Sequence, residues 1–160
     1  MPGLYYDQFH VSQVFKHPIR RTITEADNVW FSAVTHNPSY LHLDEEYCRN
    51  ETEFGQRLVN SCFTLALMVG ISVGDTVLGT AVANLGWDEV RFPKPLFHGD
   101  TVRVESEVLE MRESKSRPGQ GIVSIRTLGK NQRGETVCSF RRDMLIPARG
   151  QSVEDRLGTY

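Results

Sequence analysis

Residues 59–74 read Val-Asn-Ser-Cys-Phe-Thr-Leu-Ala-Leu-Met-Val-Gly-Ile-Ser-Val-Gly and contain the longest apolar stretch of this 160-residue chain. Drawn as a helix, the segment is apolar on nearly every face, which is typical of a helix buried on all sides. Asn60 or Ser61 is expected to cap its start, and Gly74-Asp75 to end it. The stretch is shorter than the ~20 residues that a membrane-spanning helix needs. We therefore predict the central helix of a soluble domain.

Downstream of this helix the chain changes to the two-residue period of β-strands. In residues 101–109, Val102 and Val104 alternate with charged side chains, as expected for a strand with one solvated face. Residues 82–92, 121–128 and 135–146 are further predicted strands, the last two joined by a turn at residues 131–134. The C-terminal half is therefore predicted to form an antiparallel sheet.

Upstream of the central helix, residues Thr24 to Asp27 have the form of a capping box and predict the start of a helix. Proline disfavours a helical conformation in the residue before it, so Asn37-Pro38 is expected to end this helix. Its predicted apolar face consists of Ala26, Val29, Trp30, Ala33 and Val34. A helical N-terminal part, a buried helix and several strands together predict an α+β domain, a curved antiparallel sheet wrapped around the central helix.

The length fits one domain, which we assign to residues 1–150, with residues 151–160 expected to be a frayed C-terminal tail. A net charge of -2 argues against a nucleic-acid partner held by a broad basic face. The three cysteines are widely spaced, which indicates neither a disulfide framework nor a zinc site and favours a reducing cytoplasm. The N-terminus lacks a basic start followed by an apolar run, so neither a secretory signal nor a membrane partner is expected.

His42 is the first candidate for chemistry, because an imidazole with a pKa of about 6.5 can accept and return protons near neutral pH. Taken alone, a histidine between two leucines is more often a structural hydrogen-bonding group. The surrounding run Asn37–Asp44, followed by Phe54–Ser61, resembles the hydratase motif of MaoC-like dehydratases and R-specific enoyl-CoA hydratases. Arg91–Val102 resembles their strand leading into a Gly-Asp-Thr turn, and Asn131–Glu135 a hairpin common in them.

The resemblance covers residues 22–146 and implies a hot-dog fold that hydrates a 2-enoyl-CoA or dehydrates a 3-hydroxyacyl-CoA. It also implies an acyl-CoA substrate, a homodimer or dimer of dimers, and no metal or separate cofactor, since coenzyme A belongs to the substrate. Thr35 and Asn37 resemble a branch associated with short, branched or dicarboxylic acyl groups such as mesaconyl- or itaconyl-CoA.

The family has a catalytic aspartate five residues before its catalytic histidine, and this position aligns with Asn37. An asparagine amide can hold a water molecule but cannot exchange a proton with it. The resemblance therefore implies that His42 carries the acid-base work on a water held by Asn37. His36 takes part only if the alignment is offset.

The resemblance also implies an oxyanion site at the start of the central helix, where free backbone amides carry partial positive charge. The expected donors are the N–H groups of Ser61 and Cys62, although the family usually has His-Gly at residues 60–61. Val59, Asn60 and Arg91 are the expected substrate contacts. Cys62 as a covalent nucleophile and Arg126 as an anion contact are weaker alternatives.

Two other functions stay open at this stage. The hot-dog fold also hosts acyl-CoA thioesterases, which commonly use a carboxylate on or near the central helix, and residues 59–74 contain no Asp or Glu. The missing aspartate also leaves room for a non-catalytic acyl-CoA-binding module.

Overall fold

The computed structural model describes residues 3–152 and residue 155. Most of the predicted tail, residues 153, 154 and 156–160, lies outside the described residues, so its expected fraying stays a prediction. After a short 3-10 helix at Tyr6–Gln8, the elements are β1 Val14–Lys16, β2 Arg21–Thr22, α1 Glu25–Val34, α2 Tyr40–Leu43, α3 Glu45–Glu51, α4 Ser61–Thr76, β3 Ala83–Arg91, β4 Thr101–Glu113, β5 Gln120–Lys130 and β6 Thr136–Pro147.

The strands form one antiparallel sheet in the order β1-β4-β5-β6-β3, with β2 also paired to β4. The four strands predicted from the sequence are confirmed as β3 to β6, each within a few residues of its expected bounds. The two N-terminal strands were not predicted, because runs of three and two residues are too short to establish a period.

The core lies between α4 and the sheet. Met68 and Ile71 of α4 are buried against Val104 of β4 and Phe140 of β6. Fully burying a side chain of this size contributes about 1.5–3 kcal/mol, so this contact anchors the helix on the sheet. The predicted cap at Asn60 is confirmed, because its side chain accepts a hydrogen bond from the Cys62 N–H.

The prediction that the central helix is buried on all sides is wrong for this chain. One face of α4 is exposed, consisting of Ser61, Cys62, Ala66, Gly70, Gly74 and Asp75. The sheet covers only the opposite side of the helix. Small residues count as apolar in a sequence pattern, yet they carry little surface to bury, so the pattern overstated the burial.

The predicted apolar face of α1 is also wrong as a core contact. Val29, Trp30 and Val34 are exposed, whereas the fully buried residues of this helix are Asn28 and Ser32. The buried Asn28 faces the backbone of residues 58–60, to which it is hydrogen-bonded, so this position needs a hydrogen-bonding side chain. The predicted capping box is confirmed, with the Thr24 and Asp27 side chains bonded to each other's backbone N–H.

Strand β3 forms an edge of the sheet and is irregular. Its pairing with β6 shifts register between Asn84 and Gly86 and again between Asp88 and Arg91. Within the second shift, Glu89 adopts a positive φ of 53°, a conformation that a side chain disfavours. Large apolar side chains on this strand, Leu85 and Trp87, are exposed.

Two polar side chains are buried beside the far half of α4. His17 Nδ1 lies 2.6 Å from an Asp75 oxygen and its Nε2 lies 2.8 Å from Ser106 Oγ, which ties the end of β1 to the last turn of α4. Arg142 of β6 donates to Ser72 Oγ at 3.2 Å and has no carboxylate partner among the described residues. Burial lowers the pKa of Arg142 to about 10.

No helix in the described part of the chain is long and apolar enough to cross a membrane.

Candidate active site

A cleft of about 430 Å³ opens where α2, the start of α4 and the loop after β3 meet. Most of its wall is apolar, with Leu41, Phe54, Leu58, Val59, Phe92, Pro95, Leu96 and Val137. The remaining lining residues are His42, Ser61, Thr64 and Lys94. An apolar pocket with a few convergent polar groups is the usual form of a small-molecule site.

His42 stands in the single turn of α2 with its ring fixed by a backbone carbonyl. Its Nδ1 lies 3.0 Å from the carbonyl oxygen of Leu58. A carbonyl oxygen only accepts hydrogen bonds, so Nδ1 carries the proton and Nε2 of the neutral ring keeps its lone pair. The Leu58 N–H donates to the Leu41 carbonyl at 2.9 Å, which holds the same peptide segment against α2. The site therefore presents one basic imidazole nitrogen beside an apolar cleft.

The segment that carries Leu58 is held by Arg57. The Arg57 guanidinium donates to Glu25 at 2.6 Å and to Glu45 at 2.9 Å, joining the first turns of α1 and α3. The hydrogen bond from Arg57, followed by its positive charge, lowers the pKa of Glu25, and the same hydrogen bond lowers the pKa of Glu45. Three elements around the cleft are thus fastened at one side chain.

The start of α4 offers one of the two expected oxyanion donors. Ser61 lines the cleft as the first residue of the helix, where a backbone N–H has no acceptor within the helix. The Cys62 N–H is bonded at 3.0 Å to the Asn60 side chain, and Cys62 does not line the cleft. The expectation that Cys62 also binds the thioester oxygen is therefore corrected, because the helix cap occupies its donor. Its thiol is exposed rather than packed.

The structure brings only some of the other predicted residues to the cleft. Val59 is buried and forms part of the wall. Asn60 is buried, caps α4 and donates to Ser32 Oγ at 3.3 Å, so it is committed to structure rather than to substrate. Arg91 lies instead in a separate depression on the sheet, beside Glu89 and Arg126.

Asn37 and His36, which precede α2, are also absent from the cleft lining. The Asn37 side-chain oxygen accepts from the Ser39 N–H at 3.0 Å, which shapes the turn before α2. This bond uses the side-chain oxygen of Asn37, so the side-chain NH2 group is the part that can donate to another group. His36 is exposed at the end of α1, with a φ of 54°.

Three residues of this region were missed by the sequence-based prediction. Asn28 bonds the backbone around His42, Arg57 fastens the surrounding helices, and Lys94 lines the cleft. Lys94 stands between two prolines, a signal that its backbone is held rigidly. Asn28 gave no comparable signal, because a polar residue on an amphipathic helix normally predicts the solvated side.

No cluster of three or more metal-ligating side chains occurs among residues 3–152 and 155.

A sheet packed on one central helix, with a histidine-lined cleft at the start of that helix, defines this protein as a hot-dog domain of α+β class. Residues 8–130 match the family described as MaoC like domain. The chain belongs to this family, which confirms the resemblance identified from the sequence.

Three relatives illustrate the match. The chain is 31% identical to a mesaconyl-CoA hydratase of Cereibacter sphaeroides over 98% of its own length and 47% of that protein. It superposes on the MaoC-like dehydratase from Rhodospirillum rubrum with a TM-score of 0.80 and 30% identity, covering 92% of this chain and 99% of the other. It also superposes on a Mycobacterium tuberculosis protein with a double hot-dog fold, with a TM-score of 0.83 and 25% identity, covering 91% of this chain and 44% of that one. The chain thus spans about half the length of the curated relatives it matches.

Proposed function

We propose that this protein is a hydro-lyase that adds water to a 2-enoyl-CoA, or removes it from a 3-hydroxyacyl-CoA. The observation that carries the proposal is the His42 ring, whose Nδ1 is bonded to the Leu58 carbonyl while the residue lines an apolar cleft. In the neutral ring this geometry leaves the lone pair on Nε2, which can act as the base that a hydration reaction requires.

In the proposed reaction, His42 Nε2 takes a proton from a water molecule as the water oxygen bonds to the β carbon. The electron pair of the double bond moves towards the thioester oxygen, where the Ser61 N–H stabilises the negative charge. Losing one such donor typically costs about 3 kcal/mol of barrier. The imidazolium then returns its proton to the α carbon, so water is added and the histidine is regenerated.

We propose that the Asn37 side-chain NH2 group donates to the attacking water, since its oxygen is already bonded to the Ser39 N–H. Asn37 stands outside the cleft lining. For this role, either the bound acyl group must extend the site towards Asn37, or the turn that carries Asn37 must shift slightly towards the cleft. The proposal predicts that Asn37→Ala lowers kcat, whereas Asn37→Asp supplies a second acid-base group and changes the pH profile. An Asn37→Ala variant with unchanged kcat would remove Asn37 from the mechanism.

For the substrate we propose a short, branched or dicarboxylic acyl-CoA. The names of the relatives, about half of whose length this chain spans, support this class, because they include a mesaconyl-CoA hydratase. Lys94 supports it too, because a cation in the cleft wall suits an anionic acyl group. We further propose that no metal or separate cofactor takes part, so dialysis against a chelator is expected to leave turnover unchanged.

We propose that two copies of the chain form the working unit, as a homodimer or a dimer of dimers. The support is the exposed face of α4, the exposed Leu85 and Trp87 on the edge strand β3, and the double hot-dog relative of about twice the length. Light scattering coupled to gel filtration is expected to give at least twice the mass of one chain. A cytoplasmic location remains our proposal from cysteine usage alone.

The test is turnover of crotonyl-CoA and mesaconyl-CoA by the wild type and by His42→Ala. Hydration removes the conjugated absorbance without releasing a thiol, whereas hydrolysis releases free coenzyme A. The wild type is expected to hydrate, and His42→Ala to lose at least ~100-fold in rate, the lower end of a general base contribution. Thiol release would favour a thioesterase. Binding of CoA esters without any turnover would favour the binding module.

The thioesterase has less support in the contacts of α4. Asp75 is a carboxylate on this helix, but it lies eleven residues beyond Thr64, about 16 Å along the axis. It is bonded to His17 on the side of β1, away from the cleft lining.

A further inference from the structure

We infer that Asn28 is the positioning residue of this site, because its buried amide fixes the carbonyl that orients His42. The inference rests on the proposed role of His42 as general base. Asn28 lies on α1, is 0% exposed and does not line the cleft. Its effect on chemistry therefore has to pass through the groups that it bonds.

The Asn28 amide contacts four groups around the cleft. Its Nδ2 lies 3.0 Å from the Leu58 carbonyl oxygen, 3.3 Å from the His42 carbonyl oxygen and 2.9 Å from His98 Nε2. Its Oδ1 accepts from the Asn60 N–H at 2.8 Å, immediately before α4. One side chain thus connects α2, the segment after Arg57 and the entrance to α4.

The orientation of this amide is fixed by its partners. The Leu58 carbonyl can only accept and the Asn60 N–H can only donate, so a flipped amide would lose both bonds. His98 Nε2 must then carry a lone pair, because the Asn28 nitrogen presents only hydrogens to it. Burial, followed by the charge of Arg57, lowers the pKa of His98, which agrees with a neutral ring.

The consequence for His42 follows from the shared carbonyl. The Leu58 oxygen accepts from Asn28 Nδ2 and from His42 Nδ1, each at 3.0 Å. Without the bond from Asn28, the peptide of the Leu58 carbonyl keeps only the bond from the Val59 N–H to the Leu96 carbonyl at 2.9 Å. The carbonyl oxygen can then tilt away from the His42 ring, which loses a fixed acceptor. The proton can then move to Nε2, and a ring with that tautomer presents a donor instead of a base.

Asn28→Asp tests this with little change in volume. The carboxylate keeps an acceptor for the Asn60 N–H but presents an oxygen to the Leu58 carbonyl, which repels it. A misplacement of about 1 Å in a catalytic group can cost ~100-fold, so we expect kcat to fall by ~10–100-fold. KM is expected to stay within about twofold, because Asn28 does not contact the cleft.

Asn131→Asp is the matched control. Asn131 is another buried asparagine, 2% exposed, whose oxygen accepts from the Arg133 and Glu135 N–H groups in the turn between β5 and β6. Its substitution is expected to lower the melting temperature and to leave kcat unchanged. Asn28→Ser, which loses one donor and leaves room for a water, replaces Asn28→Asp if the latter fails to fold, with a smaller expected loss.

The deciding measurement is the tautomer of His42 in protein labelled with ¹⁵N-histidine, with the signal assigned by its absence in His42→Gln. The wild type is expected to be protonated at Nδ1, and the Asn28 variant to show a substantial fraction protonated at Nε2. This readout needs no substrate, so it stands even if no hydratase activity is found. A folded Asn28 variant with the wild-type tautomer and kcat, or an equal loss of kcat in Asn131→Asp, would overturn the inference.

Discussion

Lys94 offers the sharpest test of substrate class, through the substitution Lys94→Met. Lys94 lines the cleft, is exposed, and takes part in no ion pair among the described residues. If it binds the distal carboxylate of a dicarboxylic acyl group, methionine removes that attraction while keeping most of the side-chain volume. The effect should then fall on substrates with this carboxylate only.

The size of the effect follows from the exposure of Lys94. Two unit charges about 4 Å apart attract by ~1 kcal/mol in water and ~4 kcal/mol at an effective dielectric of about 20. An exposed ammonium at the wall of an open cleft belongs near the lower value, about 1–2 kcal/mol. We therefore expect kcat/KM for mesaconyl-CoA to fall by ~5–30-fold, since about 1.4 kcal/mol corresponds to a factor of ten.

The assay is loss of conjugated absorbance, with kcat/KM measured for mesaconyl-CoA and for uncharged crotonyl-CoA. Crotonyl-CoA is expected to react equally well with both proteins, and added salt should shrink the difference for mesaconyl-CoA. Lys115→Met, in the loop after β4, is a matched control with no expected effect. Equal losses for both substrates would mean that Lys94 contacts the shared coenzyme A, and no loss for either would refute a role in binding.

Three further predictions concern stability and reactivity. Arg142→Met should raise the melting temperature by about 2–4 °C, equivalent to ~1 kcal/mol, because it removes a buried cation without a carboxylate partner among the described residues; a lower melting temperature would contradict this. Arg57→Met should destabilise the protein near pH 7, and the difference from wild type should shrink as pH falls below the ordinary pKa of Glu25, because Arg57 holds that pKa low in the folded state only; a pH-independent difference would contradict this. Cys62 should be alkylated by iodoacetamide faster than the two buried cysteines. If the proposed dimer covers α4, its alkylation should slow at concentrations where the dimer forms; equal reactivity of all three cysteines would contradict the exposure of the α4 face.

Four of the six strands could be predicted from sequence, most securely where an alternation sustained over about nine residues fits a half-buried strand and little else. Residues 101–109 illustrate this, since their pattern requires one buried and one solvated face. The helices were harder. The Trp30 side of α1 was predicted to be a core face but is exposed, whereas Asn28 on the same helix is fully buried. A helical periodicity records only where the apolar residues lie. It does not show that α1 packs against a neighbouring backbone segment whose N–H and C=O groups need hydrogen-bond partners.

The candidate site was predicted in part for a similar reason. His42 and Ser61 belong to contiguous motifs, so the sequence identifies them together. Asn60 and Cys62 belong to the same motif. Whether the Cys62 N–H can bind a ligand depends on the Asn60 side chain two residues earlier, which accepts its hydrogen bond. Arg57 and Asn28 act on groups 12 to 70 residues distant, a relation that only the folded chain defines.

The two register breaks in β3 limit what can add to this edge of the sheet. A regular strand presents an unbroken row of backbone donors and acceptors and can template the next strand without end, as in fibres. An edge interrupted at Leu85 and Glu89 matches only a strand with complementary interruptions. Growth at this edge should therefore stop after one addition, which favours a closed assembly of finite size over aggregation.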